Sequence, residues 1–158
     1  MDTIKALLTT REGRISRRQW WMGVLILIAI SILVSIVLGI LTMGNATLIA
    51  WAAVAVNIAL IWPNYCLGLK RRHDRNNEGR DLEVLIAASV VVNLIQASGI
   101  GATRVNAFGV VSNSPSLWLG LLNLAFGIFA IYMVVQLGFL RGTTGPNRFG
   151  PDPLDAAT

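Results

Sequence analysis

Three stretches of the chain carry no charged residue at all: Gln19 to Leu69, Val84 to Thr103 and Val105 to Leu140. A soluble fold needs charge along most of its helices and loops, so these stretches exclude an ordinary globular domain. Composition agrees, with 54% of the 158 residues hydrophobic and 13% charged, against about a quarter charged in typical soluble domains. Four segments reach the roughly 20 apolar residues that cross about 30 Å of hydrocarbon as a helix. They run over about residues 20–43, 48–69, 82–100 and 117–140. Each is continuously apolar rather than alternating, which favours helices over a barrel. The expected fold is all-α and integral to the membrane: a four-transmembrane-helix bundle of two antiparallel hairpins. Residues 1–19 then form a basic N-terminal segment, 20–140 the membrane domain and 141–158 a Gly/Pro-rich tail. The first apolar run exceeds the 7–15 residues of a secretory signal and lacks an A-x-A site near Thr42-Met43-Gly44-Asn45, so it reads as a retained helix.

The charge, +5 from 13 Lys+Arg against 8 Asp+Glu, is informative by position. Gly44-Asn45-Ala46-Thr47 is a tight uncharged turn between the first two helices. Four crossings then put the N-terminal segment, the loop at Lys70–Asp81 and the tail on one face. That face holds 12 of the 13 basic residues, and Arg104 alone lies opposite. The positive-inside rule makes the loaded face cytoplasmic, with both termini inside. Trp20, Trp21, Trp62 and Tyr65 at one boundary, and Trp51 and Trp118 at the other, match the aromatic belts of membrane proteins.

No ionisable residue falls near the middle of a span, which argues against a proton-driven transporter. What the spans do hold is amide and hydroxyl chemistry. Asn57 and Asn64 share one face of the second helix, with Pro63 beside them; Asn93 and Gln96 share a face of the third; Asn123 and Gln136 lie in the fourth. Ser31, Ser35 and Gly39 form a small-residue stripe on the first helix, and Gly120, Asn123 and Gly127 another on the fourth. In lipid such stripes serve helix packing, with a solute path along the amides as the alternative. Cys66 is the single cysteine, which excludes an intrachain disulfide and a cysteine-rich metal cluster.

The cytoplasmic face carries three over-specified segments. Ser16, with Gln19 three residues on, has the form of a capping box ahead of the first helix. Gly142 to Pro153 contains three Gly and three Pro and must turn repeatedly, with Phe149 as an aromatic plug. Together the segments resemble the domain-of-unknown-function 805 family of small bacterial inner-membrane proteins. That family shows G-R-x-x-R-x-x-[FYW]-W ahead of its first span, matched at Gly13, Arg14, Arg17, Trp20 and Trp21. Its R-R-L-H-D loop is matched at Lys70 (conservatively), Arg71, His73 and Asp74. Its G-x-x-G-x-N-x-[FY]-G-x-[DN]-P tail is matched at Gly142, Gly145, Asn147, Phe149, Gly150, Asp152 and Pro153. Arg72 stands where the family has an apolar residue, and Arg80 where an aromatic is usual. The resemblance covers essentially the whole chain and implies a four-helix fold in the bacterial inner membrane, with no particular activity.

Arg14, Arg17, Arg18, Trp20, Arg71, His73, Asp74, Asn147, Arg148 and Asp152 are the candidate face for anionic lipid or a partner protein, each cation near a leaflet contributing about 1 kcal/mol. His73 and Asp74 point about 100° apart on a helix, and a lone His falls short of a zinc site, so a structural role is expected for the pair. Asp152 is expected to pair with an arginine such as Arg71 and tie the tail to the loop. No catalytic motif, cofactor site or metal cluster is present in the sequence, and membrane-hugging basic patches do not suit nucleic acid. The expected role is structural or accessory, at a lipid or protein partner; the alternative is a subunit of an oligomeric transporter or channel for a small solute.

Overall fold

A computed structural model describes residues 2–107 and 110–155. The elements are α1 (Asp2–Thr9), α2 (Arg17–Leu41), α3 (Ala46–Asp74), α4 (Arg80–Ser98), β1 (Ala102–Ala107), β2 (Val110–Pro115) and α5 (Leu117–Val134). A single π-helical turn, Val135–Phe139, extends α5. Four helices, α2, α3, α4 and α5 with its π-turn, are long and apolar enough to cross a membrane. The chain has the build of a mostly helical membrane protein.

The all-α expectation is corrected between α4 and α5. There the chain forms an antiparallel hairpin, registered from Ala102↔Pro115 to Ala107↔Val110. Gly99 and Gly101, at φ +73° and +75°, take the left-handed backbone that stops α4. The following run, with Thr103, Val105, Val110 and Val111, has the β-branched composition that strands favour. Arg104 falls in β1, and its side chain lies outside the described part of the structure. The N-terminal segment also gains order, because α1 packs on α3 and buries Leu7.

A second correction concerns the Lys70–Asp81 loop. Helix α3 does not stop at Leu69 but runs on through Asp74, since Lys and Arg are good helix formers. Only residues 75–79 connect it to α4, with Asn76 and Gly79 in left-handed conformations. Elsewhere local signals act as read. Gln19 N–H donates to Ser16 Oγ at 3.3 Å while Ser16 N–H donates to Gln19 Oε1 at 2.9 Å, closing the capping box of α2. Asn45 Oδ1 accepts from Leu48 N–H at 3.1 Å and starts α3 directly after the Gly44 turn.

The core sits at the charged end of the bundle, where Leu7, Ile15, Trp20, Leu27, Leu67, Leu69, Leu82, Met133 and Leu137 are buried together. Further along the spans Leu33, Ile40, Leu121 and Ile128 are exposed, as expected where lipid removes the incentive to bury them. Close helix approach is made at Gly68, where a Cβ would lie 2.8 Å from Leu82, and at Gly138, where it would lie 2.8 Å from Trp20 and Trp21. The stripes behave differently: a Cβ at Gly39, Gly120 or Gly127 would meet nothing within 4 Å. Of the stripe's polar members, Ser31 Oγ donates to Leu27 O at 2.8 Å, Ser35 is exposed, and Asn123 Oδ1 accepts from Gln96 Nε2 at 3.2 Å across α4 and α5.

Candidate functional site

Three helices, α1, α3 and α5 with its π-turn, end at the charged face. A helix C-terminus leaves up to four carbonyls without a partner and carries negative partial charge. Four of the basic residues there, Arg17, Lys70, Arg71 and Arg75, answer such carbonyls. Lys70 Nζ donates to Ala6 O at 2.7 Å and to Thr10 Oγ1 at 3.3 Å, closing α1. The π-turn is held from four directions. Arg71 Nε donates to Leu137 O at 2.7 Å, Arg17 Nη1 to Phe139 O at 3.1 Å, Trp21 Nε1 to Gly138 O at 3.2 Å, and Arg75 Nη1 to Gln136 O at 3.3 Å. Arg71 Nη2 also donates to Leu140 O.

The end of α3 is closed by the tail. Thr143 donates to Asp74 O through its N–H at 2.9 Å and its hydroxyl at 3.1 Å, and Asn147 Nδ2 donates to His73 O at 3.0 Å. At the centre, the Asp74 carboxylate accepts from Arg14 Nε and Nη2 at 3.1 and 3.0 Å and from Arg71 Nη1. The three side chains are at most 5% exposed. Arg14 spends its remaining donors on the tail: Thr143 O at 2.7 Å, Gly145 O at 2.7 Å and Gly150 O at 3.2 Å. All five N–H groups of its guanidinium are thereby used. Gly142 lies so close that a Cβ there would run into the Asp74 carboxylate.

Asp152 departs from expectation. It pairs with no arginine among the described residues; Oδ1 accepts from Leu154 N–H at 3.0 Å and Oδ2 from Gly145 N–H at 2.9 Å. Those bonds, Leu154 first, hold its carboxyl below the usual range, with a smaller contribution from nearby Arg14. The tail is tied down by Asp74, whose position at the end of α3 faces both arginines, while Asp152 shapes the tail's own turn. His73 and Asp74 do diverge. The His73 ring stacks on Phe149 at 3.9 Å and 5°, and the Arg148 guanidinium lies 4.7 Å from the Phe149 ring. Phe149 thus caps a histidine instead of plugging the bundle. Arg148 also donates to Asn76 O at 3.2 Å.

Arg72, unusual for the resemblance, bridges helices: it pairs with Asp81 at the start of α4 and donates to Gln136 Oε1 at 3.2 Å. Trp20 is buried beneath the cluster, edge-on to Trp21 at 4.9 Å. Of the candidate residues, Arg14, Arg71, Asp74, Asn147 and Asp152 meet around the tail, Arg17 reaches the π-turn, and Arg18 stays exposed. Lys70, Arg75, Gln136 and Arg141 were not among the candidates. Carrying the helical period past Leu69 is the signal that finds the first two, because Lys70–Asp74 and Arg71–Arg75 are then each one turn apart.

Beside the cluster a groove of about 770 Å³ opens between the first turn of α2 and the tail. Arg17, Arg18 and Arg141 line it together with Met22, Thr143 and Leu154, and Arg71, Asp74 and Asp152 reach it from behind. Among the described residues no group of three His, Cys, Asp or Glu is disposed to hold a metal ion.

Four helices long and apolar enough to cross a membrane, with a charged face closed by the chain's own arginines and tail, give it the build of a small helical membrane protein. The chain belongs to the DUF805 family: the model described as "Protein of unknown function (DUF805)" matches residues 8–151. It is similar to the uncharacterized protein YiiR of Escherichia coli strain K12 and to that of Escherichia coli O157:H7. Each is 30% identical over 162 residues, which cover 97% of this chain and 92% of the relative. No solved structure matches it.

Proposed function

We propose that this is an accessory protein of the bacterial inner membrane, with both termini in the cytoplasm, whose basic face holds anionic lipid headgroups. The observation that carries this reading is the state of the cations around the groove. Arg18 and Arg141 have no hydrogen-bond or ion-pair partner among the described residues, whereas Asp74 and Asp152 beside them are already bonded. Four guanidiniums (Arg17, Arg18, Arg71, Arg141) face two carboxylates, so the groove carries a surplus of positive charge. The first-turn N–H groups of α2 add to it. Met22 and Leu154 supply an apolar flank for the start of an acyl chain. Orientation is supported by the 12-to-1 distribution of basic residues between the two ends.

The test is lipid retention in native mass spectrometry of the purified protein. Phosphatidylglycerol should survive on the wild type where phosphatidylcholine is lost, and the double change Arg18→Gln with Arg141→Gln should abolish the difference. Equal retention of both lipids by the wild type would overturn the proposal. Reporter fusions at residue 158 and in the 102–115 hairpin address orientation separately, with the former expected to report from the cytoplasm and the latter not. Assembly of copies around a solute path is a second reading, supported by the open faces at Gly39, Gly120 and Gly127; a strictly monomeric protein would end it.

A further inference from the structure

The charged end carries a second cluster, which shares no residue with the groove. Arg11, in the link from α1 to α2, lies over the ring of Trp62 in α3, 5.5 Å from a ring centroid. Trp62 lies 6.5 Å from the ring of Tyr65, one turn further along α3. Tyr65 Oη donates at 3.0 Å to Oε1 of Glu83, in the first turn of α4. Three parts of the chain thus bring together a guanidinium, two aromatic rings and a carboxylate. Arg11, Trp62 and Glu83 are all exposed.

The two charges are left open in complementary ways. Arg11 makes no hydrogen bond or ion pair among the described residues; neither Glu12 beside it nor Glu83 pairs with it. Its five N–H groups are therefore unspent. Glu83 takes one bond, from Tyr65, and has no cationic partner among the described residues. A phosphate suits the first and an ammonium the second, so side by side they suit a zwitterion. Depth decides its kind, because Trp62 and Tyr65 are the rings at the membrane boundary, where the neighbours are lipid headgroups. A primary ammonium suits Glu83 better than a quaternary one, since only N–H groups can donate to its free oxygen.

We infer that the face formed by Arg11, Trp62, Tyr65 and Glu83 binds the headgroup of a zwitterionic aminophospholipid, its phosphate on Arg11 and its primary ammonium on Glu83. The two rings beside the ammonium add the attraction that aromatic faces offer any cation. The groove at the start of α2 repels the same ammonium, because four guanidiniums there face two carboxylates. The two sites therefore sort lipids by what lies beyond the phosphate. This inference requires that the spans lie in a bilayer and does not rest on what fills the groove, so the two readings fail separately.

The experiment offers the full chain equal amounts of dioleoylphosphatidylethanolamine and dioleoylphosphatidylcholine, which share acyl chains, phosphate and net charge. In native mass spectrometry the wild type should retain the ethanolamine lipid about fivefold better, as one exposed charge-assisted hydrogen bond provides. Glu83→Gln keeps an acceptor for Tyr65 but removes the charge, and should bring the ratio to about one. Arg11→Gln should lower retention of the ethanolamine lipid, and Arg18→Gln with Arg141→Gln should leave the fivefold ratio unchanged. Equal retention of the two lipids by the wild type overturns the inference, since loosely held annular lipid gives that result. A ratio unmoved by Glu83→Gln, or full retention on Arg11→Gln, overturns it as well. So does loss of the ratio in the Arg18/Arg141 double variant, which would put the ethanolamine lipid in the groove. Glu83→Ser, expected to give the same ratio of about one, stands in should Glu83→Gln not fold.

Discussion

Asp74→Asn tests the closure of the charged face most directly, since it keeps the side chain's shape and removes its charge. The carboxylate accepts two bonds from Arg14 and one from Arg71. Bonds to charged groups contribute about 1.5–3 kcal/mol each, which sets a ceiling of roughly 4.5–9 kcal/mol. Breaking a buried ion pair from one side typically costs about 3–5 kcal/mol. Here both guanidiniums keep backbone carbonyls, at Leu137 and Leu140 for Arg71 and at Thr143, Gly145 and Gly150 for Arg14. The loss should therefore fall near the lower figure, about 3 kcal/mol. Arg71→Met should cost a comparable amount. The double variant should cost less than the sum by about 1.5–3 kcal/mol, because each single change already breaks the shared bond. Unfolding of the detergent-solubilised protein by increasing sodium dodecyl sulfate, followed by tryptophan fluorescence, reads all three. Additivity within about 0.5 kcal/mol, or a cost below about 1 kcal/mol for Asp74→Asn, would refute the central role given to this carboxylate. Asp152→Asn combined with Arg71→Met should be additive, since those two residues share no bond.

Gly142→Ala places a methyl group against the Asp74 carboxylate, so the tail must shift; a destabilisation of about 1–3 kcal/mol is expected, with faster trypsin cleavage at Arg148 than in the wild type. The tail should also loosen in acid. Backbone N–H groups hold the folded Asp152 carboxyl below its unfolded value, so its stabilisation is complete above about pH 4 and fades as pH falls through the lower folded value. Pepsin cleavage near Phe149 should rise between about pH 4 and pH 2 in the wild type, beyond pepsin's own pH dependence on an unfolded peptide, and Asp152→Asn should remove that excess.

Much of the fold was legible in the chain because it depends on local chemistry. Uncharged runs of about 20 residues must be helices in lipid, and Ser16 with Gln19 caps α2 by the same rule that applies in any helix. The three motif segments were also visible, and they do meet. The identity of the bonds within them was not. Asp152 and Asp74 are both acids within four residues of an arginine in the sequence, and only the run-on of α3 past Leu69 turns Asp74, not Asp152, toward Arg14 and Arg71. The 102–115 hairpin was missed because a polar, glycine-bounded run of that length reads equally well as a loop until its two halves pair. Small residues were read as packing sites from spacing alone; within the spans the glycines that meet neighbours are Gly23, Gly68 and Gly138, set by where the helices converge.

The amino-acid sequence by itself determined where the spans lie and which end is charged, because transfer of apolar and charged groups between water and lipid is a property of each residue wherever it sits. Only the tertiary structure decided what the charges do. A buried arginine is tolerable only when acceptors surround it, and here they come from helix ends and tail carbonyls more than 60 residues away in the chain. That convergence binds Arg14 and Arg71 inward and leaves Arg18 and Arg141 facing out, and it is the difference between them that gives the charged face a site.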